Sequence, residues 1–205
     1  MEFLTHWFYF AIALLSALTV HEAAHAWVAH KLGDPTAKLQ GRVTLNPIKH
    51  LDPMGTLVFL LSGLIGWGKP VPINPANFKY PIRDSAFTAL AGPMANFLLA
   101  LVIAIPMKYV GSHLLMEYIF QISVFLGVFN LLPFPPLDGS KILGLVWPRQ
   151  YFDYYANYMR KGTNYFIVIL LIDIVIIRDV FGTSIFLTVV GKMYDWVSIV
   201  LFLGT

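Results

Sequence analysis

Two histidines and a glutamate stand close together in an otherwise apolar stretch near the start of the chain, in the run His21-Glu22-Ala23-Ala24-His25. On a helix, residues four apart lie on one face, so both imidazoles can ligate a single zinc ion. The glutamate between them lies beside that metal, where its carboxylate can take a proton from a metal-bound water. The spacing predicts a hydrolytic zinc site with His21 and His25 as ligands and Glu22 as general base.

A catalytic zinc site needs a third protein ligand and an open position for water. Asp138 is the best candidate, because it follows the helix-ending Pro133 and precedes Gly139, which permits a tight approach of the backbone. The same aspartate could instead cap a helix that begins near Ser140, since Asp is a favoured N-cap. From spacing alone, ligand and cap are equal alternatives.

The composition is that of a membrane protein. Hydrophobic residues make up 58% of the 205-residue chain and charged residues only 12%, whereas an average soluble domain is about 25% charged. The mean hydropathy is +0.69. So little charge cannot cover the apolar surface of a soluble protein. In an apolar segment, two histidines and a glutamate are costly unless they are partnered or functional, which favours a metal site over an accidental match.

The formal net charge is +3, and the chain has no cysteine. The basic residues are scattered among predicted loops, without an aromatic-interleaved cluster, so the expected charged partner is the lipid bilayer rather than nucleic acid. The lack of cysteine excludes disulfides and thiolate zinc ligands.

Apolar segments suited to cross a hydrocarbon core of ~30 Å run over about residues 3–30, 85–107 and 116–132. A fourth begins near Tyr165, and charges beyond it leave the number of spans within residues 146–205 open. The predicted fold is an all-α multi-pass membrane protein with a three-helix core and additional C-terminal membrane helices.

Between the first two spans, a Gly/Pro-rich region at about residues 43–78 predicts a re-entrant or extended element with some β structure. The apolar run from Met54 to Ile65 is too short to cross the membrane unaided. The stretch from Val71 to Pro75 has prolines at alternating intervals, which favour an extended or edge-strand conformation.

The distribution of basic residues predicts a topology. Eleven of the fourteen fall in segments 31–84 and 133–163, which share one side of the membrane if the first three spans alternate. By the positive-inside rule these segments are cytoplasmic and the N-terminus lies outside. The C-terminal end of the first span and Asp138 then face the same side, toward the cytoplasm.

Three blocks of sequence resemble the site-2 protease family of intramembrane zinc metalloproteases: His21 to His25, Ala91 to Asn96, and Asn130 to Gly139. The last block matches the family's N-x-x-P-x-x-x-x-D-G signature, which is far more specific than H-E-x-x-H alone. The resemblance covers roughly residues 1–145, taken as the catalytic core. It is to a minimal form, without the PDZ or CBS domain that many members carry.

The resemblance implies one Zn²⁺ per chain, bound by His21, His25 and Asp138, with Glu22 as general base. It therefore favours the ligand over the cap for Asp138. It also implies an endopeptidase that cleaves transmembrane proteins or peptides within or next to their membrane helices, as in regulated intramembrane proteolysis. We expect an integral protein of a prokaryotic cell membrane.

Further residues are assigned roles around this site. Asn130 is carried over from the family signature as a residue that steadies the substrate backbone or the oxyanion, with a helix–helix hydrogen bond as the equal alternative. Val71, Ile73 and Asn74 are predicted to pair with an unwound substrate strand by β-augmentation. Asn96 is expected to be structural, with its amide reaching a neighbouring helix.

Three alternative functions fit the sequence less well. A catalytically silent homologue that binds membrane helices is disfavoured by the intact Glu22. A metal or ion transporter would need a polar path to the outer face, where the first span offers only Ser16 and Thr19. A prenyl-protein peptidase would need a glutamate as third ligand on a later helix, and Glu117 lies toward the opposite side.

Overall fold

The computed structural model describes residues 2–62 and 68–202, and the regular structure within these ranges is helical. The helices are α1 (Glu2–Lys31), α2 (Thr36–Leu39), α3 (Pro53–Ser62), α4 (Pro81–Val110), α5 (Leu114–Asn130), α6 (Asp138–Leu143), α7 (Phe152–Ile172), α8 (Arg178–Phe181) and α9 (Ile185–Leu201). A π-helical stretch, Asp173–Ile177, joins α7 to α8. The predicted all-α class is confirmed for the described residues.

Helices α1 and α4 are the two that are long and apolar enough to cross a membrane, among the residues described. Each has 30 residues, which corresponds to a length of about 45 Å. Helix α5 is apolar but shorter, at 17 residues. The three spans predicted for the core coincide with α1, α4 and α5 to within a few residues.

These three helices pack against one another, and contacts at both ends of the bundle fix their directions. Near the start of α1, Nδ1 of His6 lies 2.8 Å from the hydroxyl of Tyr118, near the start of α5. Toward the other end, Nε2 of His25 lies 3.0 Å from Oδ2 of Asp138, shortly after α5. Helices α1 and α5 are therefore parallel. Helix α4 is antiparallel to both, since its earlier residue Thr88 contacts His25 and its later residue Asn96 contacts His21.

Small side chains fill the places where the helices meet. Ala13 and Ala17 of α1 and Ala100 of α4 are fully buried. Because these side chains are small, the helix backbones can approach closely, as is usual for membrane helices. The buried cluster that contains Ala100 also includes Val124 of α5 and Phe166 of α7, and so attaches C-terminal helices to the core.

The predicted β structure at residues 43–78 is not seen in the described part of the chain. An isolated antiparallel bridge joins Leu51 to Gly68, and residues 70–74 are irregular. Proline at positions 70 and 72 removes the N–H donors that a sheet ladder requires. The predicted re-entrant run begins as helix α3, and its remainder at residues 63–65 lies outside the described residues.

The C-terminal region begins with a long helix that includes the start of the predicted fourth apolar segment. Helix α7 begins at Phe152, before the apolar run near Tyr165, and its first half is amphipathic. Within the π-helical stretch, the buried Asp173 accepts hydrogen bonds from the backbone N–H groups of Ile185 and Phe186 at 3.0 and 3.2 Å. This carboxylate therefore satisfies free donors at the start of α9.

Candidate metal centre

The two histidines of the first motif lie on one face of α1, one turn apart, as the spacing predicted. Their Nε2 atoms are 2.9 Å apart, and the two rings are nearly perpendicular, with centroids 4.5 Å apart. His21 and His25 are 4% and 6% exposed. Two buried imidazoles with converging nitrogens need a shared partner.

Asp138 provides that partner from the first turn of α6. Its Oδ2 lies 3.1 Å from Nε2 of His21 and 3.0 Å from Nε2 of His25. Burial by itself raises the pKa of Asp138, but its contacts with the two histidines and the charge of Lys141 outweigh it and hold the pKa well below its ordinary range. The carboxylate is therefore ionised, as a metal ligand must be.

The local fold explains how Asp138 reaches the histidines. A β-carbon on Gly139 would lie 2.2 Å from the carbonyl oxygen of Leu131, so glycine is required for α6 to begin directly against the end of α5. The Asp138 side chain contacts His21, His25 and Lys141. These contacts direct it to other side chains rather than to the amides of its own helix, unlike the N-cap alternative.

Helix α4 provides one wall of the cluster through Thr88, Gly92 and Asn96, which are four residues apart and so share a face. Nδ1 of His25 lies 2.7 Å from the carbonyl oxygen of Thr88. Since a carbonyl only accepts, Nδ1 carries the proton and Nε2 has a free lone pair. A β-carbon on Gly92 would lie 2.5 Å from Nε2 of His25.

Asn96 contacts the other ring of the pair. Its side-chain nitrogen is placed 3.1 Å from Nδ1 of His21, while its buried Oδ1 has no hydrogen-bond partner. The oxygen and nitrogen of an amide are assigned rather than observed. With the amide rotated by 180°, Oδ1 accepts from Nδ1–H of His21, and Nε2 of His21 also has a free lone pair.

The donor set fits a zinc ion. Two imidazole nitrogens with free lone pairs and an ionised carboxylate oxygen lie 2.9 to 3.1 Å apart, close enough to repel one another unless a cation or a proton lies among them. Among the described residues, His21, His25 and Asp138 are the group whose ligand atoms all lie within 4.8 Å of one another. Two histidines and a carboxylate are a ligand set of catalytic zinc sites.

Glu22 is partly buried and is oriented by a segment distant in sequence. Its Oε2 accepts a 2.9 Å hydrogen bond from the backbone N–H of Val71. Three residues earlier, a β-carbon on Gly68 would lie 2.7 Å from Cδ2 of Leu18. Leu18 and Glu22 are one turn apart on α1, so residues 68–71 follow this face of the helix.

The three residues predicted to bind substrate are held by different partners. Val71 is buried and packs with Ala26 and Ala37, with Ile73 at the edge of the cluster. The N–H of Asn74 donates to Oδ2 of Asp34 at 2.7 Å. A cavity of about 390 Å³ lies beside this segment, and its lining includes Val71, Ile73, Pro81, Lys141 and Tyr155.

The side chain of Asn130 makes its observed hydrogen bond within its own helix and not with the histidine–aspartate cluster. Its Nδ2 donates to the carbonyl oxygen of Leu126, 2.9 Å away in the same helix. This contact is neither of the two that the sequence suggested, so a substrate role for Asn130 stays a prediction. Asn96 does reach a neighbouring helix, as expected, and His30 points elsewhere, with Nε2 3.0 Å from Nζ of Lys38.

The sequence analysis missed Thr88, Gly92 and Arg42 as neighbours of the site. A signal for the first two was present, because small or polar residues recur every fourth position of an apolar helix at 88, 92 and 96. Arg42 gave no such signal, since it lies in a loop and is buried only through the tertiary fold.

Comparison with known proteins agrees with this geometry. The profile described as "Peptidase family M50" matches residues 106–172, which include the segment that carries Asp138. The protein named "Putative zinc metalloprotease YwhC" from Bacillus subtilis is 43% identical over 148 residues, covering 66% of this chain and 67% of that protein. "Putative zinc metalloprotease MJ0611" from Methanocaldococcus jannaschii is 46% identical over 139 residues, covering 64% of this chain and 67% of that protein.

"Putative zinc metalloprotease Rip2" from Mycolicibacterium smegmatis is 33% identical over 134 residues, and this chain spans about half its length, 52%. No solved structure matches the chain. The matches define the protein as a metalloprotease whose cofactor is Zn²⁺. It belongs to peptidase family M50, the site-2 protease family, as the sequence resemblance predicted.

Proposed function

We propose that the protein is an intramembrane endopeptidase, in which His21, His25 and Asp138 bind the zinc ion and Glu22 is the general base. The observation that carries this proposal is the convergence of the two Nε2 atoms and Oδ2 of Asp138 within 3.1 Å. The cluster lies between α1 and α4, the two helices suited to cross a membrane. A hydrolytic site in this position acts on peptide bonds within or next to membrane helices.

Each residue has a distinct task. Bound zinc supplies Lewis-acid polarisation of the scissile carbonyl and lowers the pKa of a bound water. Thr88 holds the proton on Nδ1 of His25, so that its Nε2 remains a ligand. The amide of Val71 holds Oε2 of Glu22, which leaves Oε1 to accept the proton of the attacking water and pass it to the leaving nitrogen.

The substrates in this proposal are membrane-spanning proteins, cleaved in regulated intramembrane proteolysis. A membrane helix keeps its carbonyls in internal hydrogen bonds, so several residues must unwind before the site can attack. The irregular segment from Val71 to Asn74 borders the 390 Å³ cavity that Lys141 also lines. Nζ of Lys141 lies 3.5 Å from Oδ1 of Asp138, so the cavity lies near the metal cluster, and in this proposal it receives the unwound strand.

We test the assignment with purified protein in lipid nanodiscs, measuring zinc per chain and cleavage of a transmembrane reporter. Glu22→Gln should retain zinc and lose turnover, since the amide keeps the size of the side chain but is not a base. Glu117→Gln is the matched control, because Glu117 bonds to Ser112 near the opposite end of the bundle. It should retain both properties.

Asp138→Ala should lower zinc content as well as turnover. Asp179→Asn, an exposed carboxylate on α8, is its control. Full zinc occupancy in Asp138→Ala would remove that residue from the ligand set. A wild-type protein that binds reporter helices but never cuts them would instead identify a catalytically silent homologue.

A further inference from the structure

Arg42 is a buried cation outside the metal cluster. It lies in the loop after α2 and is 3% exposed. Burying a charge costs free energy unless the charge is partnered, so the partners of a buried arginine indicate its role. Burial lowers the pKa of Arg42, and the negative charge of Glu22 acts in the opposite direction.

The guanidinium holds two successive backbone carbonyls. One terminal nitrogen donates to the carbonyl oxygen of Lys69, and the other lies 3.4 Å from that of Pro70. A planar guanidinium with several N–H groups suits such two-point contact, whereas an ammonium group is a point charge. The next residue in the chain is Val71, whose N–H donates to Glu22.

The arginine also contacts a buried histidine. The terminal nitrogen that donates to Lys69 lies 3.5 Å from Nδ1 of His50, which is fully buried. Nε2 of His50 lies 2.8 Å from the carbonyl oxygen of Thr44, so Nε2 carries the proton and Nδ1 is free to accept from Arg42. The N–H of Lys69 also donates to the carbonyl oxygen of His50 at 2.8 Å.

We propose that Arg42 is a positioning residue for the general base. By holding the carbonyls of Lys69 and Pro70, it presents the amide of Val71 to Glu22 and so fixes one carboxylate oxygen. The inference rests on the proposed role of Glu22. It gives Arg42 a part in catalysis through the Val71 amide, although Arg42 is not placed in contact with the metal ligands or the substrate.

The first experiment measures the Val71 amide directly, by hydrogen exchange of the zinc-loaded protein in nanodiscs. Residues 70 and 72 are proline and have no N–H. Peptides that cover this stretch therefore contain few other exchanging amides, and their exchange reports mainly on Val71. Arg42→Gln should speed exchange of this amide roughly tenfold to a hundredfold, the range expected when a hydrogen bond to a charged group is lost. Lys49→Gln, an exposed basic residue nearby, should leave it unchanged.

The second experiment compares turnover in a double-mutant cycle. Val71→Pro deletes the N–H that reaches Glu22 and leaves Arg42 in place, so it also serves if Arg42→Gln fails to fold. Each single variant should lower kcat about tenfold or more while retaining zinc. The double variant should be no worse than the more damaged single one, because both changes remove the same hydrogen bond.

Two outcomes would overturn the proposal: unchanged Val71 exchange in Arg42→Gln, or fully additive losses of kcat in the double variant. Arg42→Lys should fold, and its Val71 amide should still exchange faster than in wild type, because one ammonium group cannot hold both carbonyls. A Val71 amide that exchanges at the wild-type rate in Arg42→Lys would also contradict the proposed role of Arg42. A wild-type protein with no protease activity would refute the proposed function instead. Amide exchange at Val71 would still test whether Arg42 positions that amide.

Discussion

A β-carbon added to Gly92 would lie 2.5 Å from Nε2 of His25, a candidate zinc-binding atom. Carbon and nitrogen do not approach this closely without displacing one another. The backbone of α4 therefore lies directly against the two imidazoles of α1, and the absence of a side chain at position 92 permits the metal cluster to form.

The first prediction is that Gly92→Ala lowers zinc occupancy. The added methyl group must displace the His25 ring, and crowding of this kind costs about 1–3 kcal/mol. Zinc per chain and thermal unfolding are the measurements. Gly191→Ala in α9 is the control, because nothing lies within 4 Å of its added β-carbon. It should be neutral or slightly stabilising. A fully zinc-loaded Gly92→Ala protein would mean that the rings have room to move.

The second prediction concerns Asn96, whose amide orients His21. Asn96→Leu removes the acceptor for Nδ1–H and should weaken zinc binding roughly 10–100-fold, as for other residues that orient metal-binding histidines. Asn96→Asp keeps an acceptor oxygen and should bind zinc nearly as tightly as wild type. Competition with a chelator measures both. The reverse order, with Asp weaker than Leu, would show that the side chain acts as a donor.

The third prediction is that the stability of the fold depends on pH through Asp34, which is fully buried. Burial raises its pKa, but hydrogen bonds from Thr36, Asn77 and Asn74 outweigh this and lower the pKa below its ordinary value. The carboxylate therefore stabilises the fold above its unfolded pKa of about 4. This stability is lost as the pH falls through the lower folded value.

In thermal unfolding at pH 7, where the hydrogen-bonded charge is present, the free energy of unfolding of Asp34→Asn should be lower than that of wild type by on the order of 2 kcal/mol. The gap to wild type should narrow as the pH is lowered below about 4. Asp179→Asn, at an exposed position, should follow wild type throughout. A gap for Asp34→Asn that stays constant with pH would mean that the charge of Asp34 is not what stabilises the fold.

The fourth prediction is the membrane topology. The end of α1 contacts Lys38 through His30, and α7 meets the segment before Asp138 where Tyr158 donates to the carbonyl of Pro133. Single cysteines at Lys38 and Arg160 should therefore be labelled from the cytoplasm, and one at Ser112 from outside. Labelling of positions 38 and 160 from opposite faces would contradict the positive-inside assignment.

The fifth prediction concerns substrates. Spans with Gly, Pro or Asn in their cytoplasmic third should be cleaved fastest, because Gly and Pro cost about 1 and 3 kcal/mol relative to Ala in a helix interior and so ease unwinding. Replacing them with Leu should lower kcat/KM in a reporter assay. Ile73→Pro should slow cleavage of every reporter. Equal cleavage of an all-Leu span would show that helix opening is not limiting.

The sequence by itself determined the features that depend on local periodicity and on composition. The four-residue spacing of His21 and His25 sufficed to place both rings on one face of a helix. Apolar length located α1, α4 and α5, since the thickness of a bilayer sets how many residues must be apolar. The family signature favoured Asp138 as a metal ligand, whereas spacing alone left a helix cap as an equal alternative.

Tertiary structure decided which distant groups meet. The contact of Val71 with Glu22 joins residues 49 positions apart. The contacts of Arg42 with the carbonyls of Lys69 and Pro70 join two loops, whose sequences have no periodic pattern that predicts them. For Asn130, the family signature suggested a contact outside its own helix, whereas its side chain donates to a carbonyl 2.9 Å away within that helix. Local spacing is fixed by helix geometry, whereas contacts between distant segments depend on how the helices pack and how their connecting loops fold against them.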